Sequence, residues 1–232
     1  GLSPAQMAQL TSDIVWLVEQ TVTLPDGSTQ RALVPQVYVR VRPGDIDGSG
    51  ALLSADATVI KSSGDLVNTG TIAGRSLVKI DAENVNNLGG RIAGGSVGVN
   101  ARNDLSNIGG TISARDAAVL TAGRDINIQT TTQNAGTTPG IDRGAGVYVT
   151  NPGGVLIASA GRDTNLIGAA LVSAGTAAVG AGRNINMGTV TEGYTISFAN
   201  KNGAGISSES REVGSVIQGQ DNVRLAAGND LN

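Results

Sequence analysis

Two successive stretches of the chain decide its fold: TIAGRSLVKIDAENVNNLGG at residues 71–90 and RIAGGSVGVNARNDLSNIGG at residues 91–110. Both have an isoleucine in second place, Ile72 and Ile92, and both end in Gly-Gly. Self-similarity at a fixed short period is typical of architectures in which each repeat packs on the one before it. The pattern therefore predicts a stack of repeats of about 20 residues each.

The repeat continues over most of the chain. Further copies fill residues 111–130 and 170–189, and a last, incomplete copy begins at Val216. In several copies a polar turn of the type Ala-Gly-Arg-Asp precedes an apolar residue, but the turn at residues 160–163 is followed by Thr164, so that copy is imperfect. The apolar residues that mark this phase of the repeat are Leu66, Val85, Leu105, Ile126, Ile185 and Leu231.

Short runs of alternating apolar residues within each copy predict β-strands. The run VGVNA at residues 97–101 is an example, and Gly, Asn and Asp, which favour tight turns, separate such runs. A copy of about 20 residues has no room for a crossover helix, so strands of successive copies are expected to stack directly. We therefore predict an all-β fold, a parallel β-helix over residues 46–232, with asparagine ladders along its turns. One buried column is expected to contain Ile72, Ile92 and Ile112.

The composition agrees with such a narrow core and excludes several kinds of chemistry. Hydrophobic residues make up 40% of the 232 residues but aromatic residues only 2%, so Val, Ile, Leu and Ala must fill the interior. The chain has no His and no Cys, which excludes histidine acid–base catalysis, cysteine nucleophiles, disulfides and ordinary zinc sites. The net charge of −3 provides no general attraction for nucleic acid, so no nucleic-acid partner is expected.

Three features of the sequence bear on the compartment. The absence of Cys is compatible with a cytosolic protein or with a secreted one that stays unfolded until it has crossed a membrane, and the repeats favour the second. No run of about 18 apolar residues is present, so no membrane-spanning helix is predicted. The chain starts at Gly1 without a Met or a signal peptide, which suggests a piece excised from something longer.

Two stretches, residues 131–154 and 190–215, depart from the repeat. Both are rich in Gly, Thr, Ser and Asn, and they contain three of the aromatic residues, Tyr148, Tyr194 and Phe198. One interpretation makes these stretches degenerate coils, and the other makes them hairpins or loops that protrude from the stack. Exposed aromatic residues on protruding loops would be candidates for contact with a partner.

Residues 1–45 follow a different pattern and predict a small α+β segment. Ser3 and Pro4 are typical of a helix start, and apolar residues follow at helical spacing. The residues of this helical stripe are Met7, Leu10, Ile14, Leu17 and Val18.

A hairpin is predicted after that helix. Apolar stretches at residues 21–24 and 31–34 flank the turn PDGS at residues 25–28, and a further strand is expected at residues 37–41. We expect the N-terminal segment to dock on or cap the first coils, because an open end of the stack exposes core and strand edges.

No motif points to catalytic, cofactor-binding or metal-ligating residues. The stretch DIDGSG at residues 45–50 resembles the opening of a calcium loop, but Asp56 stands where the final glutamate belongs, and a turn is the better interpretation. Acidic residues recur once per copy at one phase of the turn, which suits a structural role better than one focused active site. These residues are Asp104, Asp125, Asp163 and Asp230. We expect a protein that is not an enzyme and that holds no cofactor and no metal.

The repeats resemble those of the filamentous haemagglutinin family, the large exoproteins of two-partner secretion in Gram-negative bacteria. The phrases LVNTGTIAG at residues 66–74, VNNLGGRI at residues 85–92 and AGRDIN at residues 122–127 carry this resemblance, which covers essentially the whole chain. The stretch LTSDIVWL at residues 10–17, with its hairpin, is similar to a segment of contact-dependent growth inhibition proteins.

The resemblance implies a right-handed β-helix that forms part of a filament on the bacterial surface. In the toxin-delivering branch, such a filament reaches a neighbouring cell, a C-terminal toxin domain is delivered, and this repeat region takes part in crossing the target's outer membrane. The implied partners are neighbouring β-helix segments of the same long chain, the outer-membrane transporter during export, and the surface or outer membrane of the target cell. The implied location is secreted, at the bacterial cell surface, with delivery to the target-cell envelope.

Two other functions stay open at the level of the sequence. A plain adhesin would use residues 131–154 or 190–215 to contact a host or biofilm partner. A polysaccharide-acting enzyme could also be built on a β-helix, but such an enzyme needs a carboxylate cluster and aromatic platforms, and aromatic residues are scarce in this chain.

Overall fold

The computed structural model describes residues 14–23, 29–38, 52–135, 138–200 and 203–232, and in those residues the chain forms strands and no helix. None of the described residues therefore provides a helix long and apolar enough to cross a membrane. The chain divides into two compact units, Gly1–Asp47 and Gly48–Asn232.

The first unit contains an antiparallel hairpin of β1 (Ile14–Thr23) and β2 (Thr29–Tyr38), in which Ile14 pairs with Tyr38 and Thr23 with Thr29. The predicted hairpin is confirmed, and its strands are longer than the sequence indicated. The helical stripe was wrong at its C-terminal part, because Ile14, Leu17 and Val18 lie in β1. A segment with Ile, three Val and two Thr among ten residues favours the extended backbone, where β-branched side chains pack well.

Several predictions for the first unit fall on residues outside the described ranges. These are the helix start at Ser3 and Pro4, the turn at residues 25–28, the last part of the strand predicted at residues 37–41, and the turn at residues 45–50.

The second unit is built from short strands that follow one another along the chain. They are β3 (Leu52–Lys61), β4 (Leu66–Asn68), β5 (Thr71–Ala82), β6 (Val85–Leu88), β7 (Arg91–Ala101), β8 (Leu105–Ile108), β9 (Thr111–Ala122), β10 (Ile126–Gln129), β11 (Thr131–Ala135), β12 (Thr138–Arg143), β13 (Gly146–Val149), β14 (Val155–Ala160), β15 (Thr164–Ile167), β16 (Ala170–Ser173), β17 (Thr176–Ala181), β18 (Ile185–Asn200), β19 (Gly203–Gly214), β20 (Val216–Gly219) and β21 (Asn222–Ala227).

Most of these strands belong to two sheets, and the chain passes back and forth between them. The first sheet has ten strands and begins with β3, β5, β7 and β9. Beside β9 each repeat supplies two consecutive shorter strands instead of one long strand: β13 and β14, then β16 and β17, then β20 and β21. The second sheet has the order β19-β18-β15-β10-β8-β6-β4. All neighbours are parallel except β18 and β19. Each return to a sheet therefore adds a strand beside the one from the previous repeat.

The predicted isoleucine column is confirmed. Ile72 pairs with Ile92 and Ile92 with Ile112, and all three side chains are buried in one hydrophobic core. The column continues through later repeats, where Val147 and Leu171 take the same place. Burying such a side chain contributes about 1.5–3 kcal/mol, so the stability of the stack is distributed over its repeats.

The apolar residues that follow the polar turn form a second column. Leu66, Val85, Leu105 and Ile126 are paired in this order by the second sheet. In the imperfect copy Thr164 takes the position, fully buried, and its hydroxyl donates a hydrogen bond of 3.0 Å to the carbonyl oxygen of Gly180. A buried threonine is tolerated because its polar atom is paired.

An asparagine ladder runs inside the first repeats. The Nδ2 atom of Asn68 donates to Oδ1 of Asn87 at 2.7 Å, and Nδ2 of Asn87 donates to Oδ1 of Asn107 at 2.7 Å. All three residues are buried. A Cβ atom on Gly90 would lie 2.5 Å from amide atoms of this ladder, so the corner beside it has to be glycine. The ladder ends at β10, where Ile128 occupies the position.

A second asparagine ladder begins in the repeats where the first one stops. Asn165 donates to Asn127 at 2.9 Å, Asn186 to Asn165 at 2.7 Å, and Asn232 to Asn186 at 2.9 Å. The prediction of stacked asparagines is thus confirmed for both groups of repeats.

Each of the two stretches that depart from the repeat contains an antiparallel hairpin next to residues that are paired in the parallel sheets. Thr131–Ala135 and Thr138–Arg143 pair as the antiparallel strands β11 and β12, whereas Gly146–Val149 returns to the ten-stranded sheet as an ordinary strand beside β9. In the second case β18 begins as an ordinary strand of the stack and continues outward, paired with β19 from Thr189–Gly214 to Asn200–Gly203. The hairpin interpretation therefore holds for most of both stretches, and the coil interpretation for residues 146–149.

The core columns yield a prediction with a matched control. Leu120 is fully buried between Val99 and Ala158, and Val119 next to it faces outward with 38% of its surface exposed. Leu120→Ala is expected to lower the free energy of unfolding by about 2–5 kcal/mol, because it leaves a cavity. Val119→Ala should change it by less than about 0.5 kcal/mol.

Urea denaturation of the two variants beside the parent measures both values. Equal losses for the two variants would show that the side chains are not divided between interior and surface in this register.

Candidate interaction surface

One corner of the stack is formed by the polar turns and contains a column of ion pairs. In each case an arginine guanidinium donates to the aspartate of the preceding repeat, and a backbone N–H of the same turn donates to that carboxylate too. The carboxylate thereby bridges two repeats. The pairs are Arg124 with Asp104 (Nη2–Oδ2 2.8 Å), Arg162 with Asp125 (Nε–Oδ1 2.8 Å) and Arg183 with Asp163 (Nε–Oδ1 2.8 Å).

Two of these contacts shift the pKa of an aspartate. The hydrogen bond from Arg162 holds the pKa of Asp125 below its usual value, and Arg183 does the same for the pKa of Asp163, with further bonds from backbone N–H groups. The pKa values of Arg162 and Arg183 are raised by the same pairing. Three of the four turn acids that the sequence singled out are thus occupied in contacts between repeats.

The residues that occupy the ion-pair column differ at both ends of the stack. In the earlier repeats Arg102 pairs with Asp81 at 2.7 Å and with Glu83 at 3.0 Å. At the other end Asn229 stands in the arginine position, and the N–H of Asp230 donates to Asn184 at 3.2 Å. The carboxylate of Asp230, the fourth of the turn acids, accepts a hydrogen bond from Asn229 at 2.9 Å, where the other three accept from an arginine.

Both hairpins leave the stack at a different corner, which follows the strands of the second sheet. In other repeats only two residues make this corner, such as Gly89-Gly90, Gly109-Gly110 and Gly168-Ala169. The first hairpin follows β10, and the second is the outer part of β18 with β19. One ordinary corner separates them along the stack, and β12 lies beside β18. The two hairpins therefore form one composite surface.

A buried or half-buried hydroxyl closes the base of each hairpin. Thr130 is buried, and its hydroxyl donates to the carbonyl oxygen of Gly168 at 2.6 Å and accepts from the N–H of Ala145 at 2.9 Å. Ser215 donates to the carbonyl oxygen of Gly188 at 2.8 Å and accepts from the N–H of Ala169 at 3.2 Å. The side chains supply hydrogen bonds where the chain leaves the parallel ladder.

The base of each hairpin also lies against a glycine corner. Val190 is buried against Gly168, where a Cβ atom would come within 2.7 Å of Cγ2 of the valine. Arg143 lies over Gly89 and donates to its carbonyl oxygen at 3.4 Å. Both glycines have positive φ, 56° at Gly168 and 66° at Gly89, which a side chain would strain. Because neither glycine has a side chain, the base of a hairpin from a later repeat can pack directly against the corner.

The second hairpin, Thr189–Asn200 of β18 paired with β19, is called the second arm below, and β11 with β12 the first arm. The second arm carries several charged residues near its base. Arg211 donates to Glu192 at 2.6 Å and 2.9 Å across the two strands. Glu212 accepts from the hydroxyls of Thr189 and Thr191, each at 2.6 Å, and these bonds lower the pKa of Glu212. A recess of about 360 Å³ on this arm is lined by Glu192, Gly193, Glu209, Ser210 and Arg211.

The three aromatic residues of the two departures lie on two strands, Tyr148 on β13 and Tyr194 and Phe198 on β18. Tyr148, which the sequence placed on a possible loop, lies half-buried in β13 with its ring over Gly146. Tyr194 and Phe198 belong to β18, opposite Glu209 and Gly205 on β19, but their side chains lie outside the described part. Of the two interpretations, the coil therefore holds at Tyr148 and the protruding loop does not, because the strand returns to the sheet there.

The described residues contain no group of three or more His, Cys, Asp or Glu side chains that could hold a metal ion. Asp56, the one described residue of the calcium-loop pattern, accepts a hydrogen bond of 3.1 Å from Ser76. No protein family model, no curated protein and no solved structure matches the chain. The geometry defines an all-β protein of stacked parallel strands with two projecting arms.

The ion-pair column predicts a dependence of stability on pH. The pKa values of Asp125 and Asp163 are lower in the folded chain than the 3.8 of the unfolded reference, so their contribution is present above that value and is lost as the pH falls through the folded pKa. We expect stability to decline between pH of about 5 and about 2, and this decline to be smaller in the variant with both Asp125→Asn and Asp163→Asn.

Thermal unfolding across that pH range measures the effect. Asp221→Asn, on an exposed turn away from the column, controls for the loss of a negative charge. An identical pH dependence in the parent and the double variant would contradict the proposed contribution of the column.

The hydroxyl at the base of the first hairpin gives another prediction. Thr130→Val removes two hydrogen bonds and leaves the buried N–H of Ala145 and the partly buried carbonyl of Gly168 without them, so the free energy of unfolding should fall by about 1–3 kcal/mol. Thr132→Val, an equal change at an exposed position of β11, should alter it by less than about 0.5 kcal/mol. Chemical denaturation compares the two, and a neutral Thr130→Val would show that the hydroxyl does not stabilise the base.

Proposed function

We propose that residues 46–232 form a right-handed parallel β-helix with coils of about 20 residues. The support is the parallel register of both sheets, in which equivalent residues of successive repeats are direct neighbours, together with one hydrophobic core that runs through the repeats. A coil of this kind leaves no room for a substrate in its interior, because aliphatic side chains fill it.

These coils are proposed to belong to a longer secreted protein. The chain is a section of a secreted filamentous exoprotein of the haemagglutinin type, in the branch that delivers toxins to neighbouring bacteria. The phrases that carry the resemblance have defined structural roles: VNNLGGRI supplies Asn87 of the buried ladder and Gly90 of its corner, and AGRDIN supplies Arg124 and Asp125 of the ion-pair column. The resemblance thus concerns residues that the stack needs.

The role that fits this architecture is mechanical. A stack that is stabilised at every step by its neighbours can be extended without a change of design, so it suits a rod that holds a C-terminal toxin away from the producing cell. The turn acids support this role over catalysis, because Asp104, Asp125 and Asp163 are each paired with an arginine of the next repeat. The single observation that carries the proposal is this repeated contact at one corner.

A competition assay tests the function in the full exoprotein of its producing bacterium. Duplication of residues 91–110 adds one coil and should preserve surface display and inhibition of target cells, because the columns continue through the added copy. Leu105→Asp buries an unpaired charge and should abolish the inhibition.

Surface immunoblotting must accompany the killing measurement, since a failure of display and a failure of delivery are different results. Full inhibition by the Leu105→Asp protein at parental display would contradict a rod that depends on this core.

An adhesin remains the second candidate, and the two hairpins at one corner favour it. Replacement of residues 131–143 by Gly-Gly should lower the binding of the purified chain to whole cells if the hairpins recognise a partner, and should leave it unchanged if the chain is only a rod. Incubation with oligosaccharides addresses the third candidate: turnover that a single Asp substitution abolishes would replace both proposals by an enzyme.

A further inference from the structure

The outer strand of the second arm is exposed along most of its length. In β19 every residue from 206 to 212 is exposed, and Ile206 has 78% of its surface open to solvent. Among the described strands β19 pairs with β18 alone, so its other edge carries no partner strand. A two-stranded ribbon is marginal in water, and a third strand is the usual source of independent stability.

This edge lacks two features, a bulge and a proline, by which proteins commonly block further pairing. The twelve residue pairs of β18 and β19 continue without a register shift, and β19 contains no proline. The first hairpin differs, because its register shifts between Thr131 and Thr132 and its strand β12 contains Pro139. Bulges and prolines protect an edge strand from addition of another strand. The backbone of β19 is therefore able to pair with another strand along this edge.

We propose that β19 pairs with β19 of a second copy of this chain, antiparallel, about a two-fold axis through Ser210. The axis stands normal to the sheet, so each face of the arm continues into the same face of the second copy. The result is a four-stranded sheet with the order β18-β19-β19-β18. A two-fold contact of this type uses the same patch on both copies and closes on itself.

The charges on the strand select this register. With Ser210 at the centre, Glu209 stands opposite Arg211 of the second copy, and the same pair is made twice. Moving the centre one residue towards the N-terminus sets the two Glu209 side chains opposite each other, and moving it one residue the other way opposes the two Arg211 side chains. Opposite charges in directly facing positions stabilise a strand pair, whereas like charges destabilise it.

The neighbouring positions fit the same arrangement. Arg211 already donates to Glu192 on β18, so in the dimer its guanidinium lies between two carboxylates, Glu192 of its own copy and Glu209 of the other. On the opposite face of the sheet, Ile206 meets Gly214, which has no side chain and leaves room for an exposed aliphatic group. The contact covers the apolar residue that the single arm leaves in water.

The pairing of two β19 strands depends on neither the proposed rod nor the family resemblance. It uses only the exposed edge, its unbroken register and the order of charges along β19. A rod that delivers a toxin can carry a monomeric arm, and a dimeric arm can belong to an adhesin, so the two proposals fail or succeed separately.

Single-cysteine variants test the axis directly, since the natural chain has no Cys. In the proposed dimer two copies of residue 210 face each other with Cα atoms about 5 Å apart, which is within the reach of a disulfide. Two copies of residue 207 are six positions apart along the strands, or about 20 Å. Oxidation should therefore convert Ser210→Cys to a covalent dimer at least about tenfold faster than Ser207→Cys.

Charge exchange tests the register by a second route. Glu209→Arg leaves the pair of Arg211 with Glu192 intact but opposes two arginines on each side of the axis, so this variant should be monomeric. Arg211→Glu should also lose the dimer, because it opposes acids. An equimolar mixture of the two variants should recover a dimer that contains one copy of each, since every facing pair is then of opposite sign.

Sedimentation of the parent, the two variants and their mixture, up to about 1 mM chain, covers even weak association. Lys79→Glu, an exposed charge reversal on the other sheet, is the control and should sediment as the parent does. A monomeric parent over the whole range, equal cross-linking of the two cysteine variants, or a dimer that survives Glu209→Arg would each overturn the proposal.

Discussion

The structure depends on one constraint: each strand inside the stack is paired in parallel with the strand one repeat earlier and the strand one repeat later, and in the long strands β5, β7 and β9 the register shifts once, between Gly74 and Leu77 and between Gly94 and Ser96. The neighbours of a side chain are therefore the equivalent side chains of the adjacent repeats. Its size and its hydrogen-bonding groups must fit those neighbours. Ile92 satisfies this condition between Ile72 and Ile112. A slip by one residue would turn every aliphatic side chain out of the core, so the register is strongly determined.

The same constraint explains why polar groups are tolerated inside the stack. Asn87 is buried, yet its amide finds an acceptor in Asn107 and a donor in Asn68 because the neighbouring repeats present the same group. Asp125 is held in the same manner by Arg162 of the next repeat. A buried polar group is costly only when it lacks a partner, and repetition supplies the partner at each step.

The two arms show where such a stack can accept additional residues. Inside the long strands one extra residue is accommodated at the irregularity between Gly74 and Leu77, whereas a corner already separates two sheets and can open to accept a whole hairpin. At Thr130 and Ser215 a hydroxyl replaces hydrogen bonds that the parallel ladder would otherwise supply. The stack can thus provide length while the arms provide contacts, which is a division of roles suited to a surface protein.

The sequence alone determined the repeat, the strand columns and the asparagine ladders, because each depends on residue types that recur at a fixed spacing. It did not reveal that Ile14, Leu17 and Val18 lie in a strand, since a short apolar segment fits both a helical and an extended period, and pairing with β2 decides between them. Nor could it place both hairpins side by side or combine three of the turn aspartates with the arginine of the next repeat. Those contacts join residues about 20 or more positions apart, and only the stacking of complete coils brings them within reach.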